Sequence, residues 1–452
     1  MMRWLSTLGK SFQVRRQMPD LVRPTRPTPR EVKLLSDIDD QSGLRSQVPC
    51  LYFYKGRENH DGRRNNKEED PVKVIKAALA ETLVPYYPYA GRLREGPGKK
   101  LAVDCTGEGV MFIEADADFT LEDFGEEVQP PFPYWEELLH EGPGSTEFLH
   151  SPLILIQVTR LRCGGFIFGF RFNHAMSDGT GMGQFTAAMA EIAGGASAPS
   201  ITPVWRRELL SARDPPRVTC IHREYDDTST TKLQTNPFGS ATDLVDRSVF
   251  LSLAKISALR TSLPPHLRLK CSNFDVLTAW LWRCRTTALQ LDPEEEVRLM
   301  IAVNSRPRFN PPLPRGYYGC AIGLPVALTT AQELIQNPLE YAVDLVMKAK
   351  SQVTEEYMKS AADLMVLKGR PKFTVASTFW VSDLRRFQFH ELDFGWGKPI
   401  YGGPARLRPA MKILSYYTNK TNKAGEEGIS VFLCLPKFAM EKLTGEIDRI
   451  GR

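Results

Sequence analysis

The stretch RFNHAMSDGTGMGQF, residues 171–185, predicts a strand that ends at a histidine, followed by a glycine-rich entry into a helix. Within residues 151–173 a tight turn at Gly164-Gly165 divides two predicted strands. The second strand carries aromatic residues at the period of two that places one face on a core: Phe166, Phe168, Phe170 and Phe172. Downstream, apolar residues recur at helical spacing and predict a core-facing stripe: Met182, Phe185, Met189 and Ile192.

His174 occupies the turn of this strand–turn–helix unit, where loops on a rigid sheet often carry function. A neutral imidazole accepts a proton near pH 7, so His174 is a candidate general base for activating a hydroxyl group. Asp178 follows, and the glycines at 179, 181 and 183 permit close backbone approach and unusual backbone angles. The N-terminus of the next helix would offer N–H donors to negative charge.

The pattern HxxxD is weak by itself, and other interpretations of His174 stay open at this point. One is a hydrogen-bonded core histidine. Another is a metal ligand, although no third and fourth ligands stand at convincing spacing. A serine hydrolase is disfavoured because the chain has no G-x-S-x-G nucleophile elbow.

Strands and helices alternate on both sides of an irregular, proline-containing stretch at residues 195–240, which predicts an α/β protein with layered sheets. We interpret that stretch as the crossover between two domains. VRLMIAVNSR predicts a buried strand. Helices are predicted after Asp70 and Pro71, after a Ser272/Asp275 capping box, and from Leu339 to Lys368.

The composition excludes several classes of function. Of the 452 residues, 42% are hydrophobic and 25% are charged, and the net charge of +5 is too small to predict nucleic-acid binding. A modest positive charge of this size can attract an anionic small molecule. The eight cysteines contain no CxxC pair, which predicts reduced thiols in the cytoplasm. No apolar run reaches the ~18 residues of a membrane span, and the basic N-terminal arm is interpreted as the lead into a strand, SFQVRR.

A second motif, ELDFGWGKPIYGGP at residues 391–404, favours a functional interpretation of the first. HxxxDG and DFGWG together resemble the paired signature of the BAHD superfamily, the plant acyl-CoA-dependent acyltransferases, and the resemblance covers essentially the whole chain. Other segments resemble the alcohol acyltransferases typified by benzyl alcohol O-benzoyltransferases: LLSDIDDQSGLRSQVPCLYFY, YYPYAGRLRE, PVWRRELL, PPRVTCIHREYD and NPPLPRGYYG.

The resemblance implies an α/β fold of two chloramphenicol acetyltransferase-like domains with mixed sheets flanked by helices. The expected domains are residues 1–194, which carry HxxxD, and residues 241–452, which carry DFGWG. The crossover at 195–240 joins them, and an active-site channel is expected at their interface.

The resemblance also assigns roles around the histidine. His174 is expected to take the proton of the acceptor hydroxyl as the alcohol attacks the thioester. Asp178 is named beside it as catalytic, but the family's matching aspartate points away and pairs with an arginine, here Arg306. Asp178, Arg306 and Gly179 are therefore expected to fix the loop that orients His174.

In the second motif, Asp393 is a second catalytic candidate by family analogy. Gly395 and Gly397 around Trp396 indicate a tight, packed turn, so the scaffold interpretation is favoured over the catalytic one. One departure from the family occurs at YYGC, where relatives read YYGN and this chain has Cys320. A thiol would replace an amide poorly as a hydrogen-bond donor.

For the co-substrate, the resemblance points to residues after the crossover. Lys255 and Arg260 are candidates for contact with CoA phosphates, and Ser272 or Asn273 for the nucleotide or the pantetheine arm. Ser382 is a candidate channel hydroxyl near the reacting carbonyl. For Lys255, Arg260, Ser272 and Asn273 the alternative interpretation is a helix cap or a solvated charge. No metal and no permanently bound cofactor are implied, only acyl-CoA as co-substrate.

The predicted activity is that of an acyl-CoA:alcohol O-acyltransferase, giving benzyl benzoate from benzoyl-CoA and benzyl alcohol in a ternary complex. The alternatives are a terpenoid, alkaloid or aliphatic acceptor with acetyl-CoA or another acyl-CoA, a hydrolase, and a non-catalytic CoA-binding relative. Acyl-CoA and a small alcohol are the expected partners, without nucleic acid or a membrane span. A cytoplasmic monomer is expected.

Overall fold

The computed structural model describes residues 12–57, 70–125, 127–139, 147–226, 243–387, 389–405 and 413–450. Its strands are β1 Val14–Arg16, β2 Asp20–Val22, β3 Val32–Leu34, β4 Gln47–Tyr54, β5 Arg92–Glu95, β6 Leu101–Asp104, β7 Val110–Ala117, β8 Ile154–Arg160, β9 Phe166–Asn173, β10 Leu244–Ser252, β11 Glu296–Ile301, β12 Val303–Asn304, β13 Ile322–Gly323, β14 Val326–Thr330, β15 Thr378–Asp383, β16 Tyr401–Pro404, β17 Leu414–Thr421 and β18 Glu427–Pro436. Its helices are α1 Pro71–Thr82, α2 Trp135–Leu138, α3 Gly179–Ala193, α4 Leu253–Thr261, α5 Pro265–Arg268, α6 Asn273–Leu289, α7 Ala331–Gln336, α8 Leu339–Ser351, α9 Glu355–Leu367 and α10 Lys437–Arg449.

The first sheet has seven strands in the order β1-β7-β8-β9-β4-β16, with β2 also paired to β7. It is mixed, because β7 and β8 are parallel while β9 is antiparallel to both of its neighbours. The predicted alternation in β9 is confirmed, since its phenylalanines pack with α1 and α3 while Ile167 enters the core on the opposite face. A strand buried on both faces therefore leads to His174.

The second sheet has six strands in the order β10-β18-β17-β15-β11-β14. In β15, Phe379 and Val381 enter the core shared with α6, α8 and α10. Because side chains of a strand alternate between its faces, Trp380 and Ser382 point the other way, toward a cavity. Two small sheets, β3-β6-β5 and β12-β13, complete the strand pairings.

One strand from the second half of the chain belongs to the first sheet. β16 pairs antiparallel with β4, with Tyr401 opposite Phe53. Just before it, Phe394 packs on Phe168 at 5.1 Å between ring centroids, and the Tyr54 hydroxyl donates to the Leu392 carbonyl at 2.9 Å. The DFGWG segment is thus docked on the sheet that carries His174, which the division at 195–240 did not anticipate.

Most of the predicted elements are confirmed. Asp70 caps α1 by accepting from the Val72 N–H at 3.1 Å, and Gly164, at φ +82°, lies in the turn between β8 and β9. The Ser272/Asp275 capping box is present at α6. The stripe of α3 is buried, except that Ile192 is half-buried.

The single helix predicted from Leu339 to Lys368 is wrong, because the chain divides it into α8 and α9. Thr354 has extended backbone angles, φ −123° and ψ 175°, and its side chain accepts from the Tyr357 N–H at 3.1 Å. Val353 at the break is fully buried. Apolar periodicity continues on both sides, so the break is marked only by the N-cap threonine.

The predicted crossover is irregular as far as residue 226, with short 3-10 turns at Arg207–Leu210 and Arg223–Tyr225. It is anchored on α9, where Asp363 accepts from the Arg213 N–H at 2.7 Å. The rest of the crossover, residues 58–69 and the first eleven residues lie outside the described residues. In the part of the chain that the structure describes, no helix has the length and apolar character needed to cross a membrane, and the eight cysteines are free thiols.

Candidate active site

A cavity of about 1050 Å³ lies between the two sheets, with walls from both halves of the chain. One side is formed by β4, the end of β9 and α3, and the other by β15, β17 and the start of α6. Most of the residues predicted to serve the reaction line it, namely His174, Asp178, Gly179, Arg260, Ser272, Asn273 and Ser382. Lys255 and Asp393 are not among its lining residues.

His174 begins a 3-10 turn directly after β9. Its backbone N–H donates to the Ser46 carbonyl at 2.7 Å, and the Asn173 side chain accepts from the Ala175 N–H at 3.2 Å. The residues on either side are buried, whereas His174 is half-buried and lines the cavity. The imidazole is therefore presented to the space between the sheets from a backbone that hydrogen bonds fix on both sides.

Both carboxylate oxygens of Asp178 are hydrogen-bonded to groups of the protein. One carboxylate oxygen accepts from Arg306 at 2.8 Å and from the Ala321 N–H at 3.0 Å, and the other accepts from Arg306 at 2.9 Å and the Gly181 N–H at 3.0 Å. The predicted Asp178–Arg306 pair is confirmed. Burial opposes ionisation of Asp178, but the charge and hydrogen bonds of Arg306 outweigh it and hold the pKa below 3.8. Asp178 is the N-cap of α3, so it takes the Gly181 amide that a substrate anion would otherwise contact.

A second buried ion pair, missed from the sequence, holds the same region. Asp39 accepts from Arg207 at 2.7 Å and from the Cys320 N–H at 2.8 Å. Arg207 also donates to the Met176 carbonyl at 2.7 Å, two residues after the histidine. A signal was present in LLSDIDDQSG, where aspartates stand among apolar residues. Because buried charges are normally paired, this pattern could have predicted a buried ion pair.

The glycines of the α3 entry make room for the second half of the chain. A Cβ on Gly181 would lie 2.0 Å from the Tyr318 carbonyl oxygen, and one on Gly179 would lie 2.7 Å from the Phe387 ring. The predicted close approach is confirmed. None of the three glycines has a positive φ, so the unusual backbone angles that glycine permits are not adopted here.

Cys320 contacts the histidine itself. Its Sγ donates to the His174 carbonyl at 3.1 Å and lies 4.0 Å from the imidazole Nδ1. Burial raises the pKa of the thiol well above its ordinary value, so the thiol stays protonated and remains a donor. The residue that departs from the family pattern thus helps to seat the backbone of His174.

Asp393 forms the turn that its sequence context predicts. One carboxylate oxygen accepts from the N–H groups of Gly395 at 2.7 Å and Gly397 at 2.9 Å. Both glycines have positive φ, 103° and 83°, which other residues rarely adopt. Trp396 packs edge-on against Phe166 at 5.3 Å. Asp393 is exposed, so the geometry supports its scaffold role.

Arg260 lines the cavity but braces the turn that precedes α6. Its guanidinium donates to the carbonyls of Arg268 at 2.6 Å and Cys271 at 2.7 Å, and to Asn273 Oδ1 at 3.1 Å. Asn273 is the first residue of the helix and is half-buried. Arg260 therefore orients Asn273 and leaves the helix entry open to the cavity.

Ser272 and Lys255 are placed differently. The Ser272 hydroxyl donates to Asp275 at 2.7 Å within the capping box, and Lys350 donates to the same aspartate at 2.6 Å. Lys255 donates to the Ile447 carbonyl at 2.9 Å near the end of α10. Lys255 is thereby separated from the other residues predicted to contact CoA.

The charged residues that line the cavity are mostly cationic. They are Arg260, Arg308, Lys350, Arg385 and Arg386, against Asp178, Glu191 and Asp383. Two of the acids are paired, Asp178 with Arg306 and Asp383 with Arg385. Because Arg385 pairs with Asp383 and Lys350 pairs with Asp275, the excess of positive charge comes from Arg260, Arg308 and Arg386 against Glu191. It suits an anionic substrate.

Comparison with known proteins agrees with this arrangement. The sequence profile of the Transferase family matches residues 12–449. The chain is 61% identical to the benzyl alcohol O-benzoyltransferase of Nicotiana tabacum over 439 residues, which cover 97% of this chain and 93% of that protein. It is 49% identical to alcohol acyl transferase 1 allele GSa of Malus domestica over 441 residues, with 97% and 94% covered.

The fold is shared with solved structures at low sequence identity. Vinorine synthase aligns with a TM-score of 0.72 at 19% identity, over 97% of this chain and 98% of that one. TRI101 of F. sporotrichioides, complexed with coenzyme A and T-2, aligns with a TM-score of 0.67 at 17% identity, over 93% and 99%. The chain belongs to the Transferase family, the BAHD acyltransferases, and is an acyl-CoA-dependent O-acyltransferase.

Proposed function

We propose that the protein transfers a benzoyl group from benzoyl-CoA to benzyl alcohol, giving benzyl benzoate and free CoA. The central observation is that His174 lines the cavity between the two sheets while both oxygens of Asp178 are held by other groups. The substrates are carried over from relatives in Nicotiana tabacum and Petunia hybrida, 61% and 60% identical and both named benzyl alcohol O-benzoyltransferase.

In the proposed mechanism His174 removes the proton of the alcohol as its oxygen attacks the thioester carbonyl. The tetrahedral oxyanion then collapses, the carbon–sulfur bond breaks, and the CoA thiolate takes the proton back from His174. General-base catalysis of this kind contributes about 10²–10⁴-fold. Holding both substrates in one cavity contributes further by fixing their orientation.

Other side chains assist in this proposal. Ser382, on the cavity face of β15, is the candidate donor to the oxyanion. Asn273 and Ser272 at the entry of α6, beside Arg260, are the candidates for CoA contact. Lys255 stays a weaker candidate, because its ammonium is already bound to a backbone carbonyl. The enzyme acts as a monomer and needs no permanently bound cofactor.

A second candidate keeps the chemistry and changes the substrates. Relatives from Actinidia and Malus, 48–50% identical, are named alcohol acyltransferases without a benzyl substrate. Their names specify no particular alcohol, so the alternative is a terpenoid, alkaloid or aliphatic acceptor with acetyl-CoA or another acyl-CoA. The same His174 would serve either reaction.

A competition assay tests the proposal. Benzoyl-CoA and acetyl-CoA are offered together with benzyl alcohol, hexanol and a bulky secondary alcohol, and the esters are identified by mass. Benzyl benzoate is the expected main product, formed about 10²–10⁴-fold more slowly by His174→Ala. Another ester as main product would overturn the substrate assignment. CoA release without ester would indicate a hydrolase, and no release would leave only a CoA-binding protein.

A further inference from the structure

A second cavity, of about 930 Å³, lies on the other side of a thin wall from the one that contains His174. Two of the described residues line both cavities, Tyr416 and Arg385. The second cavity is lined by the 127–130 segment of the first half and by strands β17 and β18 of the second. It is therefore part of the same cleft between the two sheets, divided by these side chains.

Tyr416 spans the cleft from one sheet to the other. In β17 it stands opposite Ser382 of β15, on the face that lines the catalytic cavity. Its hydroxyl reaches the Pro404 carbonyl of β16, in the opposing sheet, at 3.4 Å. Its ring is stacked on Phe432, which lines the second cavity, at 5.0 Å and 5°. Tyr416 is only 3% exposed and lines both cavities, so its buried side chain lies between them.

Arg385 closes the remainder of the wall. Its guanidinium donates to Asp383 at 2.8 Å and 2.7 Å, and Asp383 lines the catalytic cavity. On the other side, the Asn419 amide donates to the Arg385 carbonyl at 3.2 Å, and Asn419 lines the second cavity. Arg385 is thus fixed from both compartments.

The second cavity differs in chemistry from the wall. Apart from Arg385, the wall is an apolar cluster of Tyr416 and Phe432 with the partly buried Leu384 and Leu414. Beyond it, the lining adds hydroxyl, amide, ammonium and carboxylate groups, among them Lys55, Gln129, Ser248, Thr418, Asn419 and Glu427, beside apolar side chains such as Val128 and Ile400. Such a lining suits an ether or polyol chain with hydrogen-bond acceptors better than an alkyl chain.

We propose that Tyr416, supported by Arg385, limits the length of the substrate group that lies next to it, and that the space beyond binds a polar extension once the ring is removed. The inference rests on the proposed function, because it concerns substrates held beside His174. In the native enzyme the wall would select compact alcohols and acyl groups.

The test compares Tyr416→Ala with the matched variant Tyr416→Phe, which keeps the ring. Two extended substrates are used, benzyl alcohol carrying a para-triethylene glycol chain and benzoyl-CoA carrying the same chain. Each is measured with the unmodified partner. The ratio of kcat/KM for the extended substrate to that for the parent should rise about tenfold or more with Tyr416→Ala for at least one substrate. It should stay at the wild-type value with Tyr416→Phe.

An unchanged ratio in Tyr416→Ala, with the parent reaction retained, would overturn the proposal. A merely structural role would lower both rates alike and leave the ratio unchanged. Tyr416→Leu, which keeps an apolar side chain in the wall, replaces the alanine variant if that variant does not fold. An alkoxy chain of equal length should gain less, and an equal gain would overturn the assignment of a polar compartment.

The failure of the proposed function has a different signature. Wild-type enzyme that forms no benzyl benzoate would refute the substrate assignment but not the wall. The ratio would then be measured with extended forms of whichever substrates the competition assay identifies.

Discussion

Asp393, in the second motif, shapes a turn through two hydrogen bonds. Its carboxylate lies at the surface and closes a turn over two glycine amides, and that turn seats Trp396 on the strand that leads to His174. We therefore expect its effect on catalysis to be indirect. A substitution that keeps the hydrogen bonds and removes the charge distinguishes a side chain that stabilises a turn from one that is catalytic.

Asp393→Asn should keep activity within about threefold, because the amide oxygen still accepts both bonds, which are worth about 1 kcal/mol each. Asp393→Ala removes the acceptor and should lower the free energy of unfolding by about 1–2 kcal/mol. Steady-state kinetics and denaturant unfolding measure the two effects. A loss in Asp393→Asn as large as that in His174→Ala would instead make Asp393 catalytic.

Cys320 contributes one weak hydrogen bond to the position of His174. Cys320→Ala removes the donor to the His174 carbonyl and should reduce kcat/KM about 2–5-fold, as loss of one modest hydrogen bond of about 0.5–1 kcal/mol. Cys320→Ser keeps a donor and should stay within about twofold of wild type. Equal losses in both variants would show that the bulk of sulfur matters and not the hydrogen bond.

At the scale of elements, the start of α3 has residues that allow close packing although they lower its helix propensity. Glycine costs a helix interior about 1 kcal/mol relative to alanine, yet the entry of α3 carries three of them. The space that Gly181 leaves is filled by the Tyr318 carbonyl, and Ser177 donates to the same oxygen at 2.6 Å. The helix entry and the YYGC segment are therefore fitted to each other.

Gly181→Ala should destabilise the protein and reduce activity despite the better helix propensity, because its Cβ meets backbone at 2.0 Å. The matched control is Gly445→Ala in α10, where a Cβ meets nothing within 4 Å. That variant should gain about 0.5–1 kcal/mol. Thermal and denaturant unfolding of both proteins provide the check. A stable, active Gly181→Ala would contradict the packing described here.

Elements with local signals could be predicted from the sequence. The caps at Asp70 and Ser272 and the alternating phenylalanines of β9 depend only on neighbours along the chain, and the structure confirms them. The division at Thr354 was missed because both helices keep the same apolar period. The pairing of β16 with β4 was missed because strand partners distant in sequence leave no mark on local periodicity.

At the scale of the whole molecule, buried ion pairs join the two halves around the site. Arg306, from the second half, meets Asp178, and the Cys320 amide meets Asp39, which also holds Arg207 of the crossover. His174, Asp178 and Arg306 were recognised from the motifs and the family resemblance. Asp39 and Arg207 were not, since their pairing exists only once the crossover folds back on the first domain.

Asp178→Asn should lower stability by about 3–5 kcal/mol near neutral pH, because it leaves the buried Arg306 without its counter-charge. The pKa of Asp178 is lowered on folding, so its contribution is complete above the ordinary value of 3.8 and is lost as the pH falls through the lower folded value. The difference between wild type and variant, measured by denaturant unfolding, should be constant above about pH 5 and narrow below about pH 4. A difference that widens in acid would contradict a lowered pKa.

The central claim is that the acyl group passes directly from CoA to the alcohol while His174 acts as general base, with no acyl-enzyme. Rapid mixing of enzyme with benzoyl-CoA, with and without benzyl alcohol, tests it most directly, with CoA release and intact protein mass followed together. The account predicts no burst of CoA and no benzoylated protein without alcohol. With alcohol, ester and CoA should form in equal amounts, slowed about 10²–10⁴-fold by His174→Ala. A stoichiometric burst with benzoylated protein before alcohol is added would contradict it.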